Sequence, residues 1–252
     1  PTGSGKTTTV YAILKILNRR DVHIISIEDP VEYDIEGVTQ IQVDPRTNLT
    51  FAKGLRAIVR QDPDVIMVGE ILDPETAGIG INSAMTGHLV LSTLHANDSA
   101  TTLPRLLDMS IEPFLLASTV NIVVAQRLVR KICQKCRVSY SITPEEKSLL
   151  EEEHYLRDRI LARGVKSVAQ IKWYRGAGCA LCSQTGYRGR LGIYEVMELG
   201  EPLRELILKR AASDALMQAA IHAGMTTMLD DGLEKVFTGT TTLQEVIRVT
   251  RT

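Results

Sequence analysis

The run TGSGKTTT at residues 2–9 reproduces the second half of a phosphate-binding loop, G-x-x-x-x-G-K-[ST]. In such a loop Gly3 and Gly5 let the backbone approach a ligand closely. Successive N–H groups and the positive end of the following helix then face phosphate oxygens. Lys6 would reach the β- and γ-phosphates, and the Thr7 hydroxyl would ligate Mg²⁺, with Ser4 and Thr8 completing the nucleotide-binding stretch. The bland alternative is a chance turn ahead of a helix. Against it, the amphipathic segment TTTVYAILKILNRR follows at once.

Nucleotide hydrolysis also needs an acidic group beside Mg²⁺ and a group that orients the attacking water. These belong at the C-terminal ends of strands adjoining the loop. Two apolar runs end that way. DVIMVGE ends in Glu70, and IISIEDPVEY ends in Glu28, Asp29 and Glu32. One acidic strand end is unremarkable; two beside a phosphate loop are harder to dismiss. A third run, HLVLSTL, is bracketed by His88 and His95. An imidazole near a γ-phosphate can register its presence by hydrogen bonding, although a lone histidine is more often structural.

Four cysteines fall as two C-x-x-C pairs, Cys133/Cys136 and Cys179/Cys182. Two such pairs can place four thiolates tetrahedrally around Zn²⁺, and four protein ligands leave no open position, so the role is structural. Buried reduced thiols and a redox pair are the competing readings. Arg130, Lys131, Lys135 and Arg137 would offset the charge of a zinc tetrathiolate.

The elements that must position these groups are legible up to about residue 130. The runs 22–28, 38–43, 64–70 and 88–94 are short, apolar and rich in β-branched residues, as strands are. Helical spacing fills the stretches between them, and Asp73-Pro74-Glu75 reads as a helix entry. Strands alternating with helices imply an α/β domain with a mostly parallel sheet. From about 133 the pattern changes: the cysteine pairs bracket a charged helical segment, TPEEKSLLEEEHYLRDRILARG, and four short helices follow residue 200. The division expected is a core over 1–130, a tetracysteine subdomain over 131–195 and a helical subdomain over 196–252. With 29 Lys plus Arg against 30 Asp plus Glu, the net charge of −1 argues against bulk electrostatic binding to nucleic acid or acidic lipid. The most apolar stretch, PFLLASTVNIVVAQ, is too short to span a membrane.

Taken in order, SGKTTT, IISIEDPVEY, RQDPDVIMVGEI and TGHLVLSTLHAND resemble the Walker A, Asp box, Walker B and His box of the secretion ATPase superfamily. The similarity is to the type II secretion and type IV pilus assembly ATPases. AQRLVRKICQKC, GCALC, GYRGRLGIYEV and MTTMLDDGLEKVFTGTTTLQEVIRVT resemble their C-terminal parts. This resemblance implies a RecA-like P-loop core and a homohexameric, cytoplasmic ATPase, peripheral to the inner membrane and acting on a membrane platform protein, with ATP, Mg²⁺ and Zn²⁺ as cofactors. It implies that Glu28 activates the attacking water, that Glu70 lies near Mg²⁺, and that His88 and His95 are the His-box pair, His95 being the better γ-phosphate sensor. Arg56 and Arg60 match basic positions before Walker B. The tetracysteine site is implied to be a mark of assembly or secretion rather than retraction.

One position departs: GEILD puts Leu72 where the family usually has arginine, removing a bidentate partner for a carboxylate or phosphate. That keeps a catalytically weak scaffold subunit in view. A nucleic-acid-dependent ATPase with a zinc module is the other alternative, supported by RLVRKICQKCR but opposed by an aromatic content of only 4%. The loop's leading glycine would fall one position before Pro1. The chain is therefore expected to be a fragment lacking the strand and N-terminal domain that complete the site, and to hydrolyse ATP poorly alone.

Overall fold

The computed structural model describes residues 3–144, 147–148, 150, 154–161 and 171–250. The chain opens with α1 (Lys6–Leu17), β1 (Ile24–Glu28), β2 (Val38–Gln42), α2 (Phe51–Ile58), β3 (Val65–Val68), α3 (Pro74–Met85), β4 (Leu89–Ser92), α4 (Ser99–Asp108) and α5 (Pro113–Thr119). There follow β5 (Ile122–Ile132), β6 (Arg137–Tyr140), α6 (His154–Leu161), β7 (Trp173–Gly176), β8 (Tyr187–Glu198), α7 (Glu201–Leu208), α8 (Ser213–His222), α9 (Met228–Phe237) and α10 (Leu243–Thr250). The rest of the charged segment between the cysteine pairs lies outside the described residues.

Four parallel strands form one sheet in the order β2-β1-β3-β4. β1 and β3 are buried along their whole length, as central strands of a sheet covered on both faces must be. Period-two alternation divides them between two cores. Ile25, Ile27, Ile66 and Val68 face a large cluster with Phe51, Leu55, Ala77 and Leu103. Ile24, Val65 and Met67 face the other side, where Tyr11 and Leu14 of α1 cover them. Side-chain caps start several of the helices. Asp73 accepts from the Thr76 N–H at 2.8 Å to open α3, and Asp98 and Thr101 form a reciprocal capping box on α4. The two edge strands are less covered; on β4, Leu89 is 45% exposed.

Compactness divides the chain into two units, and not as its sequence suggested. The first joins residues up to Ala125 with Val196–Met225; the second joins Gln126–Glu195 with the residues from Thr226 onward. The helices after residue 196 therefore do not form one subdomain. Leu203, Ile207, Leu216 and Ala220 of α7 and α8 belong to the core under the parallel sheet, whereas α9 and α10 join the tetracysteine unit. The reason is apolar area: each of these helices is too short to be stable unless its apolar face is covered by something larger.

In the second unit β6 and β7 pair antiparallel, Tyr140 opposite Trp173, and buried Trp173 lies 6.4 Å from the Phe237 ring. Glu245 of α10 is 2% exposed. It accepts from the Arg130 backbone and guanidinium at 2.9 and 2.8 Å, and from Arg248 at 3.0 and 2.9 Å. Burial pushes its carboxyl up, but the hydrogen bonds from Arg248 and Arg130 outweigh burial and hold it at about 2, against an ordinary 4.5. A depressed pKa gives stability that is whole above the unfolded value and is lost as pH falls from about 4.5 towards 2. Because both arginines are half exposed, the contribution is on the order of 2 kcal/mol. In urea melts, Glu245→Gln should be less stable than wild type at pH 6, with the gap closing below pH 4. A constant gap would mean that the ion pairs are not its source.

Candidate functional site

The site begins at the entry to α1. Gly5 sits at the helix cap with φ 91°, a left-handed conformation that glycine adopts without strain. No side chain caps this end, and a helix cannot satisfy its own first N–H groups. Just before it, the buried hydroxyl of Ser4 has no hydrogen-bond partner among the described residues. An uncapped helix N-terminus beside an orphaned buried hydroxyl is a fit for an anion rich in acceptor oxygens.

These groups open onto a cavity of about 670 Å³, within the range of small-molecule sites. Its lining is the loop Gly3–Thr8, Tyr11, Glu28, Asp29, Pro30, Glu32, Tyr33, Met67, Gly69, Glu70, Thr93 and His95. The parallel sheet brings the C-terminal ends of β1, β3 and β4 to one side, and short contacts bind those ends together. The Gly69 N–H donates to the Ile27 carbonyl at 2.8 Å, and Thr93 Oγ1 donates to the Gly69 carbonyl at 2.8 Å. Ser92 Oγ donates to the Val68 carbonyl at 2.9 Å. A Cβ at Gly69 would stand 3.2 Å from Glu28 Cα, so a side chain there would push the two acidic strand ends apart.

Beyond those ends, His95 Nε2 lies 3.0 Å from Glu70 Oε2, and both side chains are partly exposed in the cavity. Glu28 is different: it is 2% exposed and its carboxylate is crowded with donors. Tyr11 Oη donates to Oε2, while Ser26 Oγ at 2.5 Å and Gln40 Nε2 at 3.1 Å donate to Oε1. Burial and the hydrogen bond to Glu28 push the Tyr11 phenol up to about 12, so it stays protonated and able to donate.

The fold thus gathers Gly3, Ser4, Gly5, Lys6, Thr7, Thr8, Glu28, Glu70 and His95 around one cavity. His88 is not among the lining residues. Its Nδ1 lies 2.9 Å from the Ser83 carbonyl and 3.2 Å from Thr86 Oγ1, at the end of α3. The two histidines differ because β4 runs between them and carries only one to the acidic end of the sheet. Arg56 pairs with Glu75 of α3 at 2.7 Å, and neither it nor Arg60 lines the cavity. Leu72 is 55% exposed and also outside the lining. Sequence reading missed Tyr11, Ser26, Gln40 and Thr93. Tyr11 carried a faint signal: a tyrosine on the buried stripe of a helix usually needs a partner for its hydroxyl.

In the second unit the Sγ atoms of Cys133, Cys136, Cys179 and Cys182 all lie within 4.8 Å of one another. Three separations are 3.9 Å (Cys133–Cys179), 3.8 Å (Cys136–Cys182) and 3.7 Å (Cys179–Cys182). A zinc tetrathiolate with Zn–S near 2.3 Å has tetrahedral edges of about 3.8 Å. Disulfide sulfurs would be about 2.05 Å apart, and all four thiols are free. Each pair closes a tight turn, the Cys136 N–H donating to Cys133 O and the Cys182 N–H to Cys179 O, both at 3.2 Å. The crowded thiols are pushed apart in pKa: against the effect of burial, the N–H groups of Cys179 and Gly186 and the neighbouring thiols bring Cys182 down to about 6, whereas burial and the neighbouring thiols hold Cys136 up at about 12.

The sequence model of the family described as "Type II/IV secretion system protein" matches residues 1–248. The chain belongs to that family. Among its relatives are the type II secretion system ATPase E of Vibrio cholerae, 47% identical over 251 residues, and the type IV pilus assembly ATPase PilB of Myxococcus xanthus, 45% identical over 249. Those alignments take in 100% and 98% of this chain but 47% and 42% of the relatives, so the chain spans about half their length. Among solved structures, the pilus retraction motor PilT with bound ADP superposes with a TM-score of 0.70 at 28% identity, over 100% of this chain and 60% of that one. The Legionella pneumophila ATPase DotB shares the fold at a TM-score of 0.66 and 21% identity, over 98% and 57% of the two chains. The α/β architecture of the secretion family thus agrees with the parallel sheet described above.

Proposed function

We propose that this chain is the nucleotide-hydrolysing part of a secretion or pilus-assembly ATPase. The observation that carries the reading is the single cavity that brings an uncapped phosphate-loop helix together with Glu28, Glu70 and His95. ATP would lie with its phosphates against Gly3–Thr8, with Lys6 countering their charge. Thr7 and Glu70 would hold Mg²⁺. Glu28 would accept the proton of the attacking water, and His95, hydrogen-bonded to Glu70, would respond to the γ-phosphate. His88 takes no catalytic part in this reading, because its ring is engaged at the end of α3.

The same reading gives the four cysteines a structural Zn²⁺, supported by sulfur spacings that fit a tetrahedral site. The names of the relatives, a secretion ATPase and a pilus assembly ATPase, support a secretion or pilus motor; in this reading it works as a homohexamer against an inner-membrane platform protein from the cytoplasmic side. Among the described residues no helix is long and apolar enough to cross a membrane.

A nucleic-acid-dependent ATPase is the less favoured reading. In the basic tetracysteine unit three tyrosine rings already carry an arginine on one face: Arg130 lies over Tyr187, Arg137 over Tyr174 and Arg175 over Tyr140, at 4.2, 5.3 and 4.9 Å. The deciding experiment is ATP turnover by the full-length protein with and without single-stranded DNA. Turnover indifferent to DNA is expected; stimulation several-fold would favour the alternative. Leu72→Arg, at an exposed position, should leave the melting temperature unchanged. A gain in its turnover would mark Leu72 as a functional handicap, and no turnover with nucleotide still bound would favour a scaffold subunit.

A further inference from the structure

Glu28 is asked to take a proton from water, yet it is buried and three donors already hold it. A carboxylate offers about four lone-pair sites, two on each oxygen. Among the described residues Oε1 receives both Ser26 Oγ and Gln40 Nε2, whereas Oε2 receives only the Tyr11 hydroxyl. The one site left open is therefore on Oε2, and the group beside it is Tyr11.

The placement of Tyr11 follows from the fold. Alternation along β1 puts Ser26 and Glu28 on the same face as Ile24, the face that α1 covers. Tyr11 is fully buried there, five residues beyond Lys6 in the same helix. Its hydroxyl also accepts from the Glu32 N–H at 3.2 Å and from Gln40 Nε2 at 3.4 Å, so its own proton is committed to Glu28. Tyr33 stands edge-on to its ring at a centroid distance of 4.8 Å, with Lys15 over the far ring. The helix whose first turn would bind phosphate thus carries in its second turn the group that fixes the carboxylate.

We propose that Tyr11 is a positioning residue for hydrolysis: its hydroxyl locks the rotation of the Glu28 carboxylate so that the free lone pair of Oε2 meets the water beside the γ-phosphate. This deepens the proposed function and rests on its assignment of Glu28 as the water-activating group. Because α1 holds both phosphate loop and lock, the distance between nucleotide and base is set by one rigid helix. An error of about 1 Å in such an alignment costs roughly a hundredfold in rate.

The test is a double-mutant cycle in the full-length protein: wild type, Tyr11→Phe, Glu28→Gln and the double variant, at a temperature where circular dichroism shows all four folded. Tyr11→Phe should lower kcat about 10- to 100-fold and leave KM and the dissociation constant for a fluorescent ATP analogue within about threefold. The double variant should be no slower than Glu28→Gln alone, since the lock has nothing left to aim. A crystal structure of Tyr11→Phe should show Glu28 turned from its wild-type rotamer. Tyr11→Phe at the wild-type rate, or losses that multiply in the double variant, would overturn the proposal. Glu28→Gln at the wild-type rate would overturn the assignment of Glu28 itself, a distinct result. Should Tyr11→Phe not fold, Gln40→Met, which removes one Oε1 donor and a donor to Tyr11, must show the same non-additivity with Glu28→Gln.

Discussion

Glu28→Gln in the full-length protein is expected to lower ATP turnover by about 10²- to 10⁴-fold, the usual worth of a general base, while nucleotide binding persists. The substitution is nearly isosteric, and the surrounding donors indicate how it would settle. Gln40 Nε2 can only donate towards the Oε1 position, so the new amide oxygen should take that place and accept from Gln40 and Ser26. The amide NH₂ then replaces Oε2 and faces the Tyr11 hydroxyl, which already accepts from the Glu32 N–H and Gln40 Nε2 and so must give up one of them to accept from the amide. The carboxylate's other two donors keep their acceptor, one contact at Tyr11 is lost at a cost of about 1–3 kcal/mol in stability, and the lone pair that would receive a proton has become a donor. Removing a negative charge that faces phosphate should also leave ATP bound as tightly or more tightly. Stopped-flow turnover and equilibrium binding, measured on the same preparation, check both halves. Turnover within a few-fold of wild type would remove Glu28 from the mechanism. Lost binding would show instead that the change had damaged the cavity.

The second large effect concerns the cysteines. Protein purified without chelators should carry one zinc per chain, released in step with thiol modification. Cys182→Ser should lose the metal and with it the cooperative melting of the tetracysteine unit. The magnitude is large because a tetrathiolate site forms only as the chain folds, so its binding energy, an apparent value of about 10–16 kcal/mol in zinc-finger peptides at pH 7, is folding energy. The unit also buries Val129, Ile132, Trp173, Leu233 and Val246, but the cysteine turns themselves rest on four-residue strands, β6 and β7, through single backbone bonds such as Ala177 N–H to Cys136 O at 2.8 Å. Metal analysis with a chelator-titrated thermal melt is the check. Less than about a tenth of an equivalent of zinc, together with a melt that ignores the chelator, would return the cysteines to buried reduced thiols.

What the sequence by itself determined is chemistry carried by local spacing. The run from Gly3 to Thr8, the acidic ends of two apolar strands and the paired C-x-x-C turns each span a few residues; the loop, Glu28 and Glu70 line one cavity, and the four cysteine sulfurs lie together. The strands and most helices were legible for the same reason, because alternation, caps and breakers act over one or two turns of chain. Only the tertiary structure decided which of two similar histidines reaches the acidic end of the sheet. His88 and His95 bracket one strand, and which end meets Glu70 depends on how the strands align with one another. It also decided the surroundings of Glu28. Tyr11 and Gln40 lie 17 and 12 residues from it along the chain. They meet it because α1 packs on one particular face of β1 and β2 pairs with that strand in one register. The division of the helices after residue 196 belongs to the same class. An amphipathic helix declares that it has a face to bury, and the shape of the available core decides against what.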